Sequence, residues 1–128
     1  MDKKRVLIVD DEKDLCRILK LNLEDTDKYE VLTLSTPRDI LSHVQSFKPD
    51  VILLDLLMPE LNGIEACEML NKSPVDGKKI PIIIISALDK DEDKIRAYKK
   101  GASDYLVKPV ERDELIAKIE NILQRGKG

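Results

Sequence analysis

Five short apolar runs, each followed by a segment whose apolar residues recur every three to four positions, govern what this chain can fold into. The runs lie at residues 5–9, 29–34, 51–54, 80–85 and 104–107. After the first, Leu15, Ile18, Leu19 and Leu23 share one helical face up to about Asp25. After the last, Leu115, Ile116, Ile119, Ile122 and Leu123 stripe a helix that opens at Glu111. Strands alternating with amphipathic helices predict a parallel sheet covered on both faces, the doubly wound α/β class. A length of 128 residues suits one domain. It is read as residues 1–124, with 125–128 a flexible tail or the start of a linker.

The runs differ in ways that place them within the sheet. Residues 29–34 alternate apolar with polar and suit an edge strand, whereas residues 80–85 are continuously apolar, as in a strand covered on both sides. Ser35 or Thr36 with Pro37 should open a second helix that ends near Phe47. Asn62 and Gly63 are expected to allow a left-handed backbone before a third helix over residues 64–71. Residues 72–79 read as a polar surface loop, and the acidic start of residues 89–93 favours a fourth helix over residues 91–100, stopped by Gly101.

The residues just past each run are chemically more pointed than the runs themselves. Asp10, Asp11 and Glu12 come after the first, Asp55 after the third, Ser86 and Ala87 after the fourth, and Lys108 after the fifth. Pro59, with no backbone donor, is expected to take the chain out of the sheet soon after Asp55. Right-handed crossovers bring the C-terminal ends of parallel strands to one edge, where open α/β sheets bind ligands. Taken singly, Asp55 would be a turn residue, Ser86 a cap and Lys108 a surface charge. Gathered at one edge, three carboxylates repel one another beyond what one lysine neutralises, and a divalent cation relieves this. Oxygen ligands without His or Cys match Mg²⁺ or Mn²⁺ rather than zinc. With Ser86 and Lys108 supplying a donor and a cation to an anion's oxygens, Asp55 is left as a nucleophile toward phosphorus.

Composition closes off other classes. A formal charge of −3 leaves no general field for nucleic acid, so no nucleic-acid binding is expected of this segment. The apolar run after the basic start MDKKR is too short for a signal peptide or a membrane span, which makes the cytoplasm the expected compartment. Cys16 and Cys67 lack metal-site spacing and read as reduced, partly buried thiols, and His43, the single histidine, reads as solvated.

The stretches VLIVDDE, KPDVILLDLLMP, PIIIISA and GASDYLVKP, in this order and spacing, resemble the receiver domain of bacterial two-component response regulators over nearly the whole chain. The resemblance implies a flavodoxin-like strand order 2-1-3-4-5 and a signalling domain rather than an enzyme. It implies that Asp55 takes a phosphoryl group from a sensor histidine kinase or a histidine phosphotransfer protein. Asp11, Asp55 and the Leu57 carbonyl would hold Mg²⁺, with Asp10 acting through water. Ser86, Ala87 and Lys108 would contact phosphoryl oxygens, Tyr105 would be an aromatic switch, and the Lys108–Pro109 bond would be cis. A homodimer through the fourth helix, fifth strand and fifth helix is a further implied partner. Ser86 stands where threonine is commoner in the family, and Val110 where phenylalanine is frequent.

The competing reading is a Mg²⁺-dependent phosphohydrolase with an aspartyl nucleophile. Such enzymes carry DxD, but Asp55 is followed by Leu56 and Leu57, which provides no general acid. A flavodoxin-like electron carrier would need a Ser/Thr/Gly-rich phosphate loop after the first strand, where this chain has acids.

Overall fold

The computed structural model describes residues 2–58 and 62–125. The elements alternate as β1 (Lys4–Val9), α1 (Lys13–Glu24), β2 (Tyr29–Leu34), α2 (Ile40–Phe47), β3 (Val51–Asp55), α3 (Gly63–Asn71), β4 (Ile82–Ser86), α4 (Asp91–Lys99), β5 (Asp104–Val107) and α5 (Arg112–Arg125). All four pairings are parallel, in the order β2-β1-β3-β4-β5. This is the doubly wound, flavodoxin-like sheet expected.

Strand alternation sorts side chains into two cores, because successive residues point to opposite faces. Leu7, Val9, Ile52, Leu54, Ile82 and Ile84 pack under α2, α3 and α4, together with Ile40, Val44, Ala66, Cys67, Leu70 and Ala97. Val6, Ile8, Val51, Leu53, Ile83 and Ile85 face α1 and α5 through Cys16, Leu19, Leu23, Leu115, Ile119 and Ile122. The three central strands are covered on both sides, while β2 leaves Glu30 exposed and lies at the edge. Among the described residues no helix is long and apolar enough to cross a membrane.

Several local expectations are corrected. The second helix starts at Ile40, later than Pro37, because the Ile40 N–H bonds the Pro37 carbonyl in a turn at 3.1 Å and Asp39 is left-handed with φ 59°. Asn62 is extended at φ −66° and caps α3 by accepting the Ile64 N–H at 2.8 Å, so neither it nor Gly63 adopts a left-handed backbone. Gly63 is needed for space: a Cβ there would lie 2.3 Å from the Leu56 Cα and 2.6 Å from the Asp55 carbonyl oxygen. The fourth strand begins at Ile82 and includes Ser86. Pro81 precedes it and offers only its carbonyl, to the Ile52 N–H at 3.0 Å.

Residues 72–79 are not simply a polar loop. Val75 and Lys78 exchange two backbone bonds of 2.9 Å across left-handed Asp76 and Gly77, a hairpin turn that buries Val75 in the core. The fourth helix ends as expected: Gly101 has φ 108°, its N–H reaches the Tyr98 carbonyl, and the Ala102 N–H reaches that of Ala97. Arg125 belongs to α5 rather than to a tail. Pro59, and residues 126–128 of the expected tail, lie outside the described residues.

Candidate functional site

The C-terminal edge of the sheet collects the residues at the ends of β1, β3, β4 and β5. Asp10 is tied there by its N–H to the Leu34 carbonyl at 3.0 Å, and Lys108 by its N–H to the Ser86 carbonyl at 2.8 Å. Asp10 and Ser86 are wholly buried and Asp55 is 3% exposed, so charge is confined where water barely reaches. Asp11 is exposed, yet a carboxylate oxygen from each of Asp10, Asp11 and Asp55 falls within 4.8 Å of the others.

In both buried aspartates one oxygen takes a backbone amide and the other faces Lys108. Asp55 Oδ1 accepts the Leu57 N–H at 3.1 Å, and its Oδ2 lies 3.2 Å from Lys108 Nζ. Asp10 Oδ1 accepts the Glu12 N–H at 2.9 Å, whereas its Oδ2 is buried with no hydrogen bond among the described residues. Lys108 Nζ approaches that oxygen at 3.0 Å as an ion pair without hydrogen-bond alignment, and also pairs with Glu12. Burial raises the Asp10 carboxyl above its ordinary range; the Glu12 amide and Lys108 pull it down, and the Asp55 charge adds to the rise. Burial works against the Lys108 charge, but Glu12, Asp10 and Asp55 outweigh it and hold the ammonium above lysine's ordinary range. Lys108 thus faces Asp10, Glu12 and Asp55, where the strand ends alone implied Asp10, Asp11 and Asp55.

The remaining expected residues lie around this cluster. Ser86 Oγ accepts the Leu88 N–H at 3.1 Å, and the Leu88 carbonyl accepts the Tyr105 hydroxyl at 2.6 Å. Tyr105 is 7% exposed, with its ring turned into the core under α4. Burial raises its hydroxyl's pKa, and the adjoining Ser86 hydroxyl opposes that. Ala87 is exposed on the loop after β4, Leu57 is half exposed, and the Lys108–Pro109 peptide is cis.

Two contacts were not anticipated. Glu12 holds Lys108, and the Cys16 thiol donates to the Asp10 carbonyl at 3.2 Å. The third acid of the DDE run was the available signal for the first; nothing in the sequence marked the second. Both cysteines are buried rather than partly so, and burial pushes each thiol up to about 11, which leaves them inert.

The donor set fits a hard divalent cation. It is made only of oxygens, it is crowded with negative charge, and it contains a buried carboxylate oxygen with no hydrogen bond. Fold and site together define a doubly wound α/β domain whose acidic cluster, beside a buried aspartate, fits a divalent cation.

Comparison with known proteins gives this class its family. The family model for the response regulator receiver domain matches residues 6–120. The alkaline phosphatase synthesis transcriptional regulatory protein PhoP of Bacillus subtilis is 37% identical over 123 residues, covering 96% of this chain and 50% of that protein. Response regulator ArlR of Staphylococcus aureus is 40% identical over 121 residues, covering 94% of this chain and 53% of that protein. Among solved structures, the Francisella response regulator 1452 receiver domain superposes with a TM-score of 0.86 at 33% identity, covering 97% of this chain and 99% of that one. A two-component response regulator from Clostridium difficile gives 0.90 at 26% identity, covering 98% and 100%. The chain belongs to the response regulator receiver domains of two-component systems, signalling domains rather than classical enzymes. It spans about half the length of the curated relatives it matches.

Proposed function

We propose that Asp55 accepts a phosphoryl group from the phosphohistidine of a sensor histidine kinase or histidine phosphotransfer protein in the cytoplasm, with Mg²⁺ at Asp10, Asp11 and Asp55. The observation that carries this reading is the setting of Asp55: a carboxylate 3% exposed at the end of β3, with two further acids within 4.8 Å and Lys108 at 3.2 Å.

An Asp55 oxygen attacks phosphorus in line, the P–O bond forms as the P–N bond breaks, and imidazole leaves with the electron pair. Lys108, 14% exposed and already against Asp55, follows the charge onto a phosphoryl oxygen, while the Ser86 hydroxyl and the backbone of Ala87 take another. Asp11, Asp55 and the Leu57 carbonyl would hold the cation directly, with Asp10 acting through water. A divalent cation held by these residues would offset the negative charge that the carboxylates and the phosphoryl group bring together. The output face is formed by α4, β5 and α5, where Ile95 and Tyr98 are 53% and 46% exposed, and it receives a partner or a second copy of the chain.

Radiolabelled acetyl phosphate with Mg²⁺ tests the reading. The wild type should take up no more than one phosphoryl group per chain, and Asp55→Asn none. Labelling of the variant at wild-type stoichiometry, or repeated release of phosphate from an added monoester, would overturn it.

A further inference from the structure

A pocket of about 120 Å³ opens beside the acidic site. Leu57, Ile64 and Leu88 form its apolar wall, and Asn62, Asp93 and Arg96 its polar rim. Two of the wall residues are fastened to the site by their own backbone. The Leu57 N–H holds Asp55 Oδ1 at 3.1 Å, and the Leu88 N–H holds Ser86 Oγ at 3.1 Å. Phosphoryl transfer proceeds in line, so a group bonded to phosphorus leaves on the side away from Asp55. The rim there holds a charge in reserve. Arg96 is exposed, projects from α4, and forms no ion pair with any described residue, Asp93 one turn earlier included.

We propose that this pocket receives the acyl half of small acyl phosphates, with Arg96 as the residue that takes up the carboxylate as it leaves. The inference rests on Asp55 being the phosphoryl acceptor, and it adds a specificity residue on α4 to that site. The volume suits an acyl group of a few heavy atoms, and the leucines and Ile64 match its alkyl part. In the reaction the Asp55 oxygen forms a bond to phosphorus, the bond between phosphorus and the acyl oxygen breaks, and the electron pair leaves on the carboxylate. The guanidinium meets that new charge with a charge-assisted hydrogen bond. A donor whose leaving group departs neutral gains nothing from Arg96 beyond what the phosphoryl charge itself gains, and this supplies the test.

Phosphorylation rates of the wild type, Arg96→Gln and Arg96→Lys would be measured with acetyl phosphate and with phosphoramidate, whose leaving group departs as ammonia. Arg96→Gln should slow acetyl phosphate on the order of tenfold, the size of one charge-assisted hydrogen bond, and leave phosphoramidate within about twofold. Arg96→Lys should restore most of the rate. Equal losses with both donors, or no loss with acetyl phosphate, would overturn the assignment of Arg96. Asp55→Asn is the separate control: labelling that survives in it with either donor overturns the acceptor on which the inference rests.

Discussion

Ser86 and Tyr105 are joined through the backbone of one residue. Leu88 donates its N–H to Ser86 Oγ at 3.1 Å and accepts the Tyr105 hydroxyl on its carbonyl at 2.6 Å. A pull on Ser86 from the acidic site therefore displaces Leu88 and weakens the bond that locates Tyr105.

That linkage predicts where the signal emerges. If phosphoryl oxygens draw Ser86 inward, the preferred position of Tyr105 shifts and the face formed by α4, β5 and α5 is remodelled. The helix α4 is suited to this, because Ala97 is its single buried residue. Amide hydrogen exchange with and without beryllofluoride should change across residues 95–106. Unchanged exchange in that segment on a site shown to be occupied would refute the coupling.

Crowding of carboxylates predicts a trade between stability and cation binding. Asp10 is buried, with one oxygen lacking a hydrogen bond, and burial raises its carboxyl. Without divalent cation at neutral pH, Asp10→Asn should stabilise the fold by roughly 1–3 kcal/mol, within the usual range for relieving a buried charge. Millimolar Mg²⁺ should then stabilise the wild type in proportion to RT ln(1 + [L]/Kd), and the Asn variant much less. Urea midpoints with and without Mg²⁺ measure both effects, and a variant that is less stable without cation would sink the argument.

The exposed pairing of Glu68 with Lys100 at 2.9 Å and Lys72 at 3.0 Å ties α3 to the end of α4. Hydrogen bonds from Lys100 and then Lys72 lower its pKa from 4.5 to about 2. A depressed acid contributes stability that is present above its unfolded value and lost as pH falls through the folded one. Glu68→Gln should therefore be slightly less stable than the wild type at neutral pH, with the gap closing between pH 4.5 and about 2. Salt should shrink the gap, as screening requires of an exposed pair. A gap that persists at pH 2 in urea denaturation would point to packing instead.

Much of this arrangement could be read from the chain because the apolar runs are short and end abruptly in Asp, Ser or Lys. Their topology alone then gathers Asp10, Asp11, Asp55, Ser86 and Lys108 at one edge. What escaped was decided by tertiary contact. Gly63 looked like a turn glycine, yet the close approach of Leu56 and Asp55 demands it. Val75 sat among polar residues, and only the turn at Asp76 and Gly77 brings it back to the core. Pro37 fitted a helix start, and left-handed Asp39 moved that start to Ile40. Arg96 carried no signal, because its place on the pocket rim depends on how α4 lies across the leucines.

The same leucines bear on how long the signal lasts. Leu57 stands two residues after Asp55, Leu88 two residues after Ser86, and their amides hold oxygens of those two side chains. Leu57 is 53% exposed and Leu88 partly buried, and both line the pocket beside the site. If Asp55 is phosphorylated as proposed and its phosphoryl group faces this pocket, water attacking it would approach past them. Neither side chain can accept or donate a hydrogen bond, so neither orients that water, and together they cover the approach with apolar surface. Hydrolysis should therefore be slow for a receiver, and Leu57→Asn and Leu88→Glu should each shorten the lifetime severalfold by giving the water a partner. Decay of phosphorylated protein in Mg²⁺ measures this, with urea denaturation run alongside. If the leucines only pack against neighbouring loops, the substitutions will lower stability and leave the decay rate unchanged, and that outcome would refute the kinetic role.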